Sequence, residues 1–344
     1  MSRAADHPAP SPVQFEAALH AALDHTARLI AAADGLVVAA GAGMGVDSGL
    51  PDFRGDQGLW RAYPALGRQR LAFWQIANPQ AFWRDARLAW GFYGHRLQLY
   101  RRTQPHAGFG WLHEWAARCP RGGWVFTSNV DGQFQRAGWD EARTVQCHGS
   151  IHRLQCLQGC GAQPWPADGW EPQVDEAACR LTGPLPLCPR CGGRARPNIL
   201  MFGDGGWQGG HDEQRGAELR RWLRGLQRPV VVEIGAGSDV PTVRHFSEGV
   251  LRGGFSGASG GIRGGTSGGI QGGAGEQPAQ AALVRINPRE PQVPQVPPMP
   301  PMPQQRPPRT ASEALPSDPH SRAIGLPMTA LQALGALQQR LARR

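Results

Sequence analysis

Short apolar runs alternate along the chain with longer stretches in which apolar residues recur at helical spacing. Residues 36–40 are all apolar, and such runs are typical of parallel strands that are buried on both faces. Further strands are predicted over 124–127, 144–147, 229–234 and 282–286. Helices are predicted over 15–33, 79–101, 108–117, 211–226 and 328–343. Strands that alternate with helices predict an α/β fold with a parallel sheet.

Two segments depart from this pattern. Residues 253–275 contain 12 glycines in 23 positions, and residues 291–308 are half proline. Neither composition buries enough apolar surface to offset the entropy that is lost when a chain becomes ordered. We therefore predict flexible inserts at 253–279 and 291–320, together with a disordered N-terminus over 1–12.

Composition narrows the function classes. The net charge of the 344 residues is +9, and all 36 basic residues are arginine. The lack of lysine excludes a Walker lysine, a Schiff-base lysine and a lysine general base. The arginines are scattered rather than concentrated in one stripe, so nucleic acid is not a predicted partner. No apolar run is long enough to span a membrane, the N-terminus is polar, and seven cysteines favour reduced thiols or metal ligands. These features predict a cytoplasmic protein.

Three strand ends carry residues suited to a nucleotide. Gly-Ala-Gly at 41–43 follows the first strand and is expected to lead into a helix, an arrangement that cradles phosphate. Val46 stands where the dinucleotide fingerprint requires glycine. The loop that follows presents an acid, an aromatic ring and a guanidinium in succession, at Asp52, Phe53 and Arg54. A second glycine turn at 235–237 and the polar strand end at Asn287 complete a set that fits a nucleotide lying across the sheet edge.

The cysteines suggest a metal site. Cys156 and Cys160 form one short-spaced pair, and Cys188 and Cys191 form a second pair, with 27 residues between the two pairs. Two such pairs converge as a closed tetrahedral thiolate site, which is typical of structural zinc. Two alternatives remain at this point: four reduced surface thiols, or Cys179 in place of one ligand.

The ordered motifs resemble the sirtuin (Sir2) family. They are Gly-Ala-Gly at 41–43, Pro-Asp-Phe-Arg at 51–54, Thr-Ser-Asn-Val-Asp at 127–131, His-Gly at 148–149, the paired cysteines, Arg-Pro-Asn-Ile-Leu-Met-Phe-Gly-Asp at 196–204, and Ile-Gly-Leu-Pro at 324–327. The resemblance implies an NAD-dependent protein deacylase with a Rossmann-like domain and a small zinc module. The Rossmann-like domain is expected over 13–150, 196–252, 280–290 and 321–344, and the zinc module over 151–195.

The resemblance also implies roles for individual residues. His148 is expected to be the base that activates a ribose hydroxyl, while Asn129 holds the ribose or a water and Asp131 holds the nicotinamide carboxamide. The expected cofactor-binding residues are Gly41, Ala42, Gly43, Asp52, Phe53, Arg54, Ser128, Asn129, Asp131, Gly235, Ala236, Gly237 and Asn287. Phe202 and Gly203 are expected at the acyl substrate. Cys147 is a poor rival nucleophile, and no motif supports His152 as a competing base.

One pair points to the acyl group. Tyr93 and Arg96 occupy the positions of a Tyr-x-x-Arg pair that, in one sirtuin subgroup, recognises succinyl or malonyl carboxylates. Residues three apart on a helix share a face, so a phenol and a guanidinium could meet one carboxylate there. The alternative is that Tyr93 packs in the core while Arg96 is solvated.

The chain departs from the family pattern at three places. Gly45 stands where serine is usual, Ser128 where glutamine is usual, and residues 235–237 read Gly-Ala-Gly where Gly-Thr-Ser is usual. The lost hydroxyls and amide are expected to change cofactor affinity and rate more than the type of reaction. Two other functions are weighed against deacylation: mono-ADP-ribosyl transfer from the same cofactor, and a catalytically silent zinc-ribbon binding module.

Overall fold

A computed structural model describes residues 11–52, 55–253, 280–295 and 321–344. Most of both predicted inserts and of the N-terminus, together with Phe53 and Arg54, lies outside these residues. The helices are α1 (Pro12–Ala32), α2 (Gly55–Ala62), α3 (Pro64–Arg68), α4 (Phe73–Ile76), α5 (Pro79–Arg84), α6 (Ala86–Arg102), α7 (Ala107–Arg118), α8 (Gln133–Arg136), α9 (Gly210–Arg224), α10 (Thr242–Leu251) and α11 (Ala330–Ala342). The strands are β1 (Gly35–Ala40), β2 (Gly123–Thr127), β3 (Thr144–Gln146), β4 (Gly149–Cys156), β5 (Trp165–Pro166), β6 (Val174–Asp175), β7 (Arg180–Leu181), β8 (Ala195–Ile199), β9 (Pro229–Ile234), β10 (Ala282–Ile286) and β11 (Ala323–Leu326).

The predicted α/β fold with a parallel sheet is confirmed. The main sheet has six strands in the order β11-β10-β9-β1-β2-β3, and every neighbouring pair is parallel. The chain moves outward from β1 to β2 and β3 on one side, and then returns to β9 on the other. Ligands of open parallel sheets bind at the carboxyl ends of the strands where this reversal occurs. The architecture therefore directs attention to the crevice between β1 and β9.

The sheet is covered on both faces, which explains why β1 at its centre is a continuous apolar run. Leu36, Val38 and Ala40 face a core shared with α1, α7 and α11, while Val37 and Ala39 face α9 and α10. Each of these five side chains is fully buried. Each Å² of buried apolar surface contributes about 25 cal/mol. The packing of helices on both faces therefore supplies much of the stability of the parallel sheet and its helices.

One ion-pair network interrupts the apolar sheet. Arg285 of β10 lies opposite Glu233 of β9, and its Nε donates to the Glu233 carboxylate at 2.5 Å. Its guanidinium also reaches Glu248 of α10 at 3.1 Å. Because a buried charge without a partner is strongly destabilising, these three side chains must be kept together. The network fixes α10 against the strands that carry the second glycine turn.

The predicted helix over 79–101 is wrong at one point, since it is two helices. Asp85 leaves the helical conformation, with φ −146° and ψ 87°, and its carboxylate caps the next helix by accepting the Leu88 N–H. The same carboxylate forms an ion pair with Arg180 at 2.7 Å. Asp85 therefore begins the second helix as its N-cap, and its ion pair also joins that helix to β7.

A smaller unit follows β3. It contains a three-stranded sheet in the order β5-β4-β8 and the short hairpin of β6 and β7. Its apolar residues join those of helices α2 to α6 in one cluster, separate from the two layers of the parallel sheet. No helix among the described residues combines the length and apolar character needed to cross a membrane.

Candidate active site and four-cysteine centre

The two glycine turns pack backbone against backbone at the carboxyl edge. The Gly43 N–H donates to the Gly235 carbonyl at 3.1 Å. A Cβ at Gly43 would lie 2.6 Å from the Gly235 Cα, and Gly235 itself has φ +63°. Side chains at these two positions would push the turns apart, so glycine is required at both.

The helix that is expected to follow the first turn is not an α-helix. The chain instead forms two 3₁₀ turns, Ala42–Met44 and Val46–Ser48. His106 fixes them, because its ring bonds to the Met44 carbonyl at 3.0 Å and its backbone N–H donates to the Ser48 hydroxyl at 3.0 Å. These contacts are not visible in the sequence, since His106 lies 58 and 62 residues from Ser48 and Met44.

The second turn is held by an oxygen that accepts three hydrogen bonds. The Ala236 carbonyl accepts from Asn287 Nδ2 at 2.9 Å and from Arg244 Nε and Nη2 at 3.2 and 3.1 Å. Asn287 Oδ1 accepts the backbone N–H groups of Arg289 and Glu290. The Asn287 amide, predicted to bind the cofactor, thus bonds within the protein and shapes the edge of the crevice.

A cavity opens where these elements meet. Its lining combines several predicted residues with the start of α11, namely Gly43, Val46, Asp47, Asp52, Gly235, Ile286, Pro288, Arg289, Thr329 and Ala330. It lies at the carboxyl ends of β1, β9 and β10, where the strand order reverses. A nucleotide is the class of ligand that this position in the sheet accommodates.

Two of the family departures have a local explanation. A Cβ at Gly45 would lie 3.0 Å from the Leu50 Cδ1, so the buried Leu50 side chain occupies the room that a serine would need. Ala236 is buried in the apolar layer under α10, where a hydroxyl would need its own partner.

The loop after β2 brings two predicted residues towards the first turn. The Ser128 N–H donates to the Ala40 carbonyl at 3.1 Å, and Asn129 Nδ2 donates to the Gly41 carbonyl at 2.9 Å. Asn129 is also fixed through its backbone N–H, which donates to the Thr127 hydroxyl at 3.0 Å. Residues at the ends of β1 and β2 therefore form one continuous surface.

Asp131 is a buried carboxyl at the same edge. Its Oδ1 accepts the Gln133 N–H at 2.9 Å across Gly132, which has φ +72°. Burial raises the pKa of Asp131 to about 6, against the opposing effects of the Gln133 N–H and the Arg96 charge. Its protonation therefore changes within the range of pH in which enzymes are assayed.

His148 follows β3, and its Nε2 is buried and has no hydrogen-bond partner among the described residues. Burial lowers the pKa of His148, while hydrogen bonding to the Ser128 backbone opposes that effect. The imidazole is therefore neutral near pH 7. A buried polar atom without a partner costs stability unless a ligand satisfies it.

The neighbouring thiol is not a candidate nucleophile. Burial and the nearby Asp212 raise the pKa of Cys147, which keeps it protonated. Because the thiolate is the reactive form, Cys147 is inert under ordinary conditions. This agrees with its rejection as a nucleophile on sequence grounds.

The motif at 196–204 is rigid at its base and exposed at its tip. Arg196 and Asp204 form a fully buried ion pair at 2.8 Å. Phe202 is 43% exposed, its ring meets that of Phe73 edge-on at 5.9 Å, and Gly203 has φ +65°. An exposed aromatic ring on a fixed loop is suited to contact a substrate chain.

Tyr93 and Arg96 lie together inside the helical part of the smaller core. The Arg96 guanidinium carbon is 5.6 Å from the Tyr93 ring centroid, and it also faces the rings of Phe92 and Tyr100. Arg96 Nε donates to the Tyr100 hydroxyl at 2.9 Å. The alternative of a solvated Arg96 is wrong, since its side chain is buried. Whether the pair binds a carboxylate stays a prediction.

The four predicted metal ligands converge. Their sulfurs all lie within 4.8 Å of one another, with Cys156 and Cys191 3.7 Å apart and Cys160 and Cys188 3.6 Å apart. Thiolates arranged tetrahedrally at about 2.3 Å from Zn²⁺ have sulfurs about 3.8 Å apart, whereas a disulfide needs about 2 Å. The donor set fits zinc. Cys179 takes no part in it, since it is buried in the apolar cluster beside α6.

Comparison with known proteins identifies the family. The Sir2 family model matches residues 41–212, which is half of the chain. The chain is 31% identical over 169 residues to an NAD-dependent protein deacylase of Aquifex aeolicus, and 36% identical over 180 residues to NAD-dependent protein deacylase 2 of Pyrobaculum aerophilum. These matches cover 49% and 52% of the chain, and 62% and 63% of the relatives' own length.

Solved structures agree on the fold. A Sir2 homologue in complex with NAD superposes with a TM-score of 0.61 at 22% identity, over 92% of this chain and 93% of the homologue. The fold and site define a Rossmann-like protein with a four-cysteine module. The chain belongs to the Sir2 family, so the predicted family is confirmed.

Most predicted site residues are brought to one edge of the sheet. The first turn, the 128–131 loop and the second turn are linked by the hydrogen bonds given above, and His148 is placed beside the Ser128 backbone. The acyl-substrate candidates lie on the helical and small-module side, and the four cysteines form a separate centre. Individual roles in binding and catalysis stay predictions, as do the domain boundaries.

Proposed function

We propose that this protein is an NAD-dependent protein-lysine deacylase that releases nicotinamide and O-acyl-ADP-ribose. The observation that carries the proposal is the buried, unpartnered Nε2 of His148. His148 lies at the carboxyl edge of the sheet, where the nucleotide cavity also opens. Its Nε2 is available to accept a proton from a hydroxyl group, as a general base must. The curated relatives are named as deacylases, which supports the same reading.

Each group of residues at the sheet edge has its own role in the proposed reaction. NAD, when bound, would supply the ADP-ribose group that receives the acyl group of the substrate, with nicotinamide as the leaving group. The glycine turns and Asn129 hold the cofactor, and Asp131 receives the carboxamide of nicotinamide. His148 accepts the proton of a ribose hydroxyl at Nε2, which its lowered pKa keeps available near pH 7. With one water consumed, the products are nicotinamide, free lysine and O-acyl-ADP-ribose.

The acyl group that this protein removes is acidic. Arg96 offers a guanidinium, buried among aromatic rings, at a position that the resemblance assigns to acyl recognition. A charge-assisted hydrogen bond from Arg96, with Tyr93 beside it, favours succinyl or malonyl over acetyl.

The partners are acylated lysines of other proteins, since this chain has no lysine of its own. Its cysteine chemistry suits a reducing compartment, and we assign the protein to the cytoplasm. The four cysteines hold one structural Zn²⁺.

The test is the NAD-dependent loss of acyl groups from a peptide. Acetyl-, succinyl- and malonyl-lysine peptides are incubated with the full chain, with and without NAD, and the free peptide is quantified. We expect acyl release only with NAD, at a higher rate for the acidic groups. Absence of NAD-dependent release from all three peptides would exclude the proposal.

A further inference from the structure

His152 lies beside the catalytic edge without reaching the nucleotide cavity. Its Nε2 is 2.8 Å from the backbone carbonyl oxygen of Asp131. Its ring covers Gly132, since a Cβ there would lie 2.9 Å from the Cδ2 and Nε2 of His152. The imidazole thus touches the turn that presents the Asp131 carboxyl on two sides, by a hydrogen bond and by packing.

An irregularity in β4 directs His152 to this turn. The pairing of β4 with β8 changes register between Ser150 and Leu154. Irregularities of this kind re-aim side chains, and they are common near active sites. The His152 backbone is tied down around it, because its N–H donates to the Ser150 hydroxyl at 3.2 Å and its carbonyl accepts the Ala167 N–H at 2.8 Å.

The Asp131 carbonyl determines which ring nitrogen of His152 is protonated. A backbone carbonyl only accepts, so Nε2 of His152 must carry the proton and donate it. The Asp131 turn has a second tie, the bond from the Gln133 N–H to Asp131 Oδ1. Loss of the His152 donor would remove one of the bonds that hold this turn in place, and with it the contact between the turn and the His152 ring.

We propose that His152 is a positioning residue, which holds the Asp131–Gln133 turn so that the Asp131 carboxylate faces the nicotinamide end of NAD. The inference rests on the proposed function for the identity of the ligand. It goes beyond that function by giving the small module a direct mechanical link to the cofactor, because His152 belongs to β4 of that module.

The test compares donors at this position. His152→Leu replaces the imidazole donor with an apolar side chain of similar size. His152→Gln has a side-chain N–H that can take over the role of the donor. His152→Ala gives the same comparison if the leucine variant does not fold. His25→Leu is the matched control, since His25 Nε2 makes a bond of the same length, 2.8 Å, to the Ser321 carbonyl at the opposite end of the sheet.

Two readouts are expected to change together. Hydrogen exchange of the 130–133 segment, measured without NAD, should accelerate about fivefold to tenfold in His152→Leu, the scale of one lost hydrogen bond. NAD affinity, measured by calorimetry without peptide, should weaken by a similar factor. His152→Gln should recover most of both losses, and His25→Leu should change neither.

The outcomes separate this inference from the proposed function. Wild-type exchange in His152→Leu, or equal effects in His25→Leu, would overturn the positioning role. Faster exchange with unchanged NAD affinity would overturn the link to the cofactor. Failure of the unaltered protein to bind NAD at all would count against the proposed function, and the exchange data would still decide whether His152 holds the turn.

Discussion

The carboxyl edge of the parallel sheet and the four-cysteine centre both gather residues that are distant in sequence, but they differ in how their polar groups are satisfied. At the cysteine centre the four sulfurs lie at mutual distances that suit one tetrahedral ion. At the sheet edge, His148 Nε2 is buried without a partner among the described residues, and burial raises the pKa of Asp131 to about 6.

We interpret the cysteine centre as a structural site and the carboxyl edge of the sheet as a reactive one. A closed thiolate site uses all of its donors to hold the fold and leaves no position for a substrate. The sheet edge instead retains a buried polar atom, His148 Nε2, whose hydrogen bond a ligand would have to supply. Without a ligand, this unsatisfied atom lowers the stability of the fold. The predictions below test this contrast.

The largest effect is expected at the cysteine centre. Cys160→Ser removes one of four thiolates, and because metal binding at such sites is folding free energy, the module should unfold and activity should vanish. Elemental analysis should give one zinc per chain in the unaltered protein and much less in the variant. Cys119→Ser is the control, since Cys119 is buried outside the centre. Pure, active protein without stoichiometric metal would contradict the assignment.

Loss of the base comes next. His148→Ala should lower the deacylation rate by at least about 100-fold, the scale of general base catalysis, while NAD affinity and thermal stability are kept. Steady-state assays with a calorimetric check of NAD binding measure both. His25→Ala should behave as the unaltered protein does. Near-normal turnover by a folded His148→Ala variant would remove His148 from the mechanism.

A more selective effect is expected at Arg96. Arg96→Met should lower succinyl-peptide turnover about 10- to 100-fold more than acetyl-peptide turnover, because only the succinyl group loses a charged partner. The ratio of kcat/KM for the two peptides is the measurement. Equal losses on both peptides, or a strong acetyl preference in the unaltered protein, would end the acidic-acyl proposal.

The smallest effect depends on pH. Since the pKa of Asp131 is raised to about 6, its carboxylate is charged above that pH and takes up a proton below it. NAD affinity should be constant above about pH 7 and fall by about tenfold per unit well below pH 6. Calorimetry is preferred to turnover, because His148 also titrates at acid pH. Asp131→Asn should show no such dependence, and the same acid loss in that variant would assign it to another group.

The strands of the main sheet could be predicted from the sequence, whereas those of the small module could not. Strands β9 and β10 have the predicted bounds, because each is a short run of mainly apolar residues that ends at a turn. The two-residue strands β5, β6 and β7 are too short to show any periodicity. The helix break at Asp85 arises from its N-cap bond to the Leu88 N–H, which the spacing of apolar residues does not reveal.

The site divides in the same way. The resemblance to the sirtuin family predicted His148 and Asp131 as site residues, and the spacing of the two cysteine pairs predicted the metal ligands, whose sulfurs converge. The roles of His106 and Arg244, which fix the two glycine turns, depend on contacts between remote segments. The internal bonding of the Asn287 amide was equally invisible, since it requires the fold of three loops.

Product analysis tests the central claim most directly. The full chain is incubated with NAD and a succinyl-lysine peptide, and all products are quantified by mass spectrometry. Because the chain has no lysine, every acyl-lysine signal comes from the peptide. We predict equal amounts of nicotinamide, free peptide and O-succinyl-ADP-ribose. ADP-ribose attached to a peptide that keeps its acyl group would identify a transferase instead, and absence of NAD cleavage would contradict a catalytic role for this edge of the sheet.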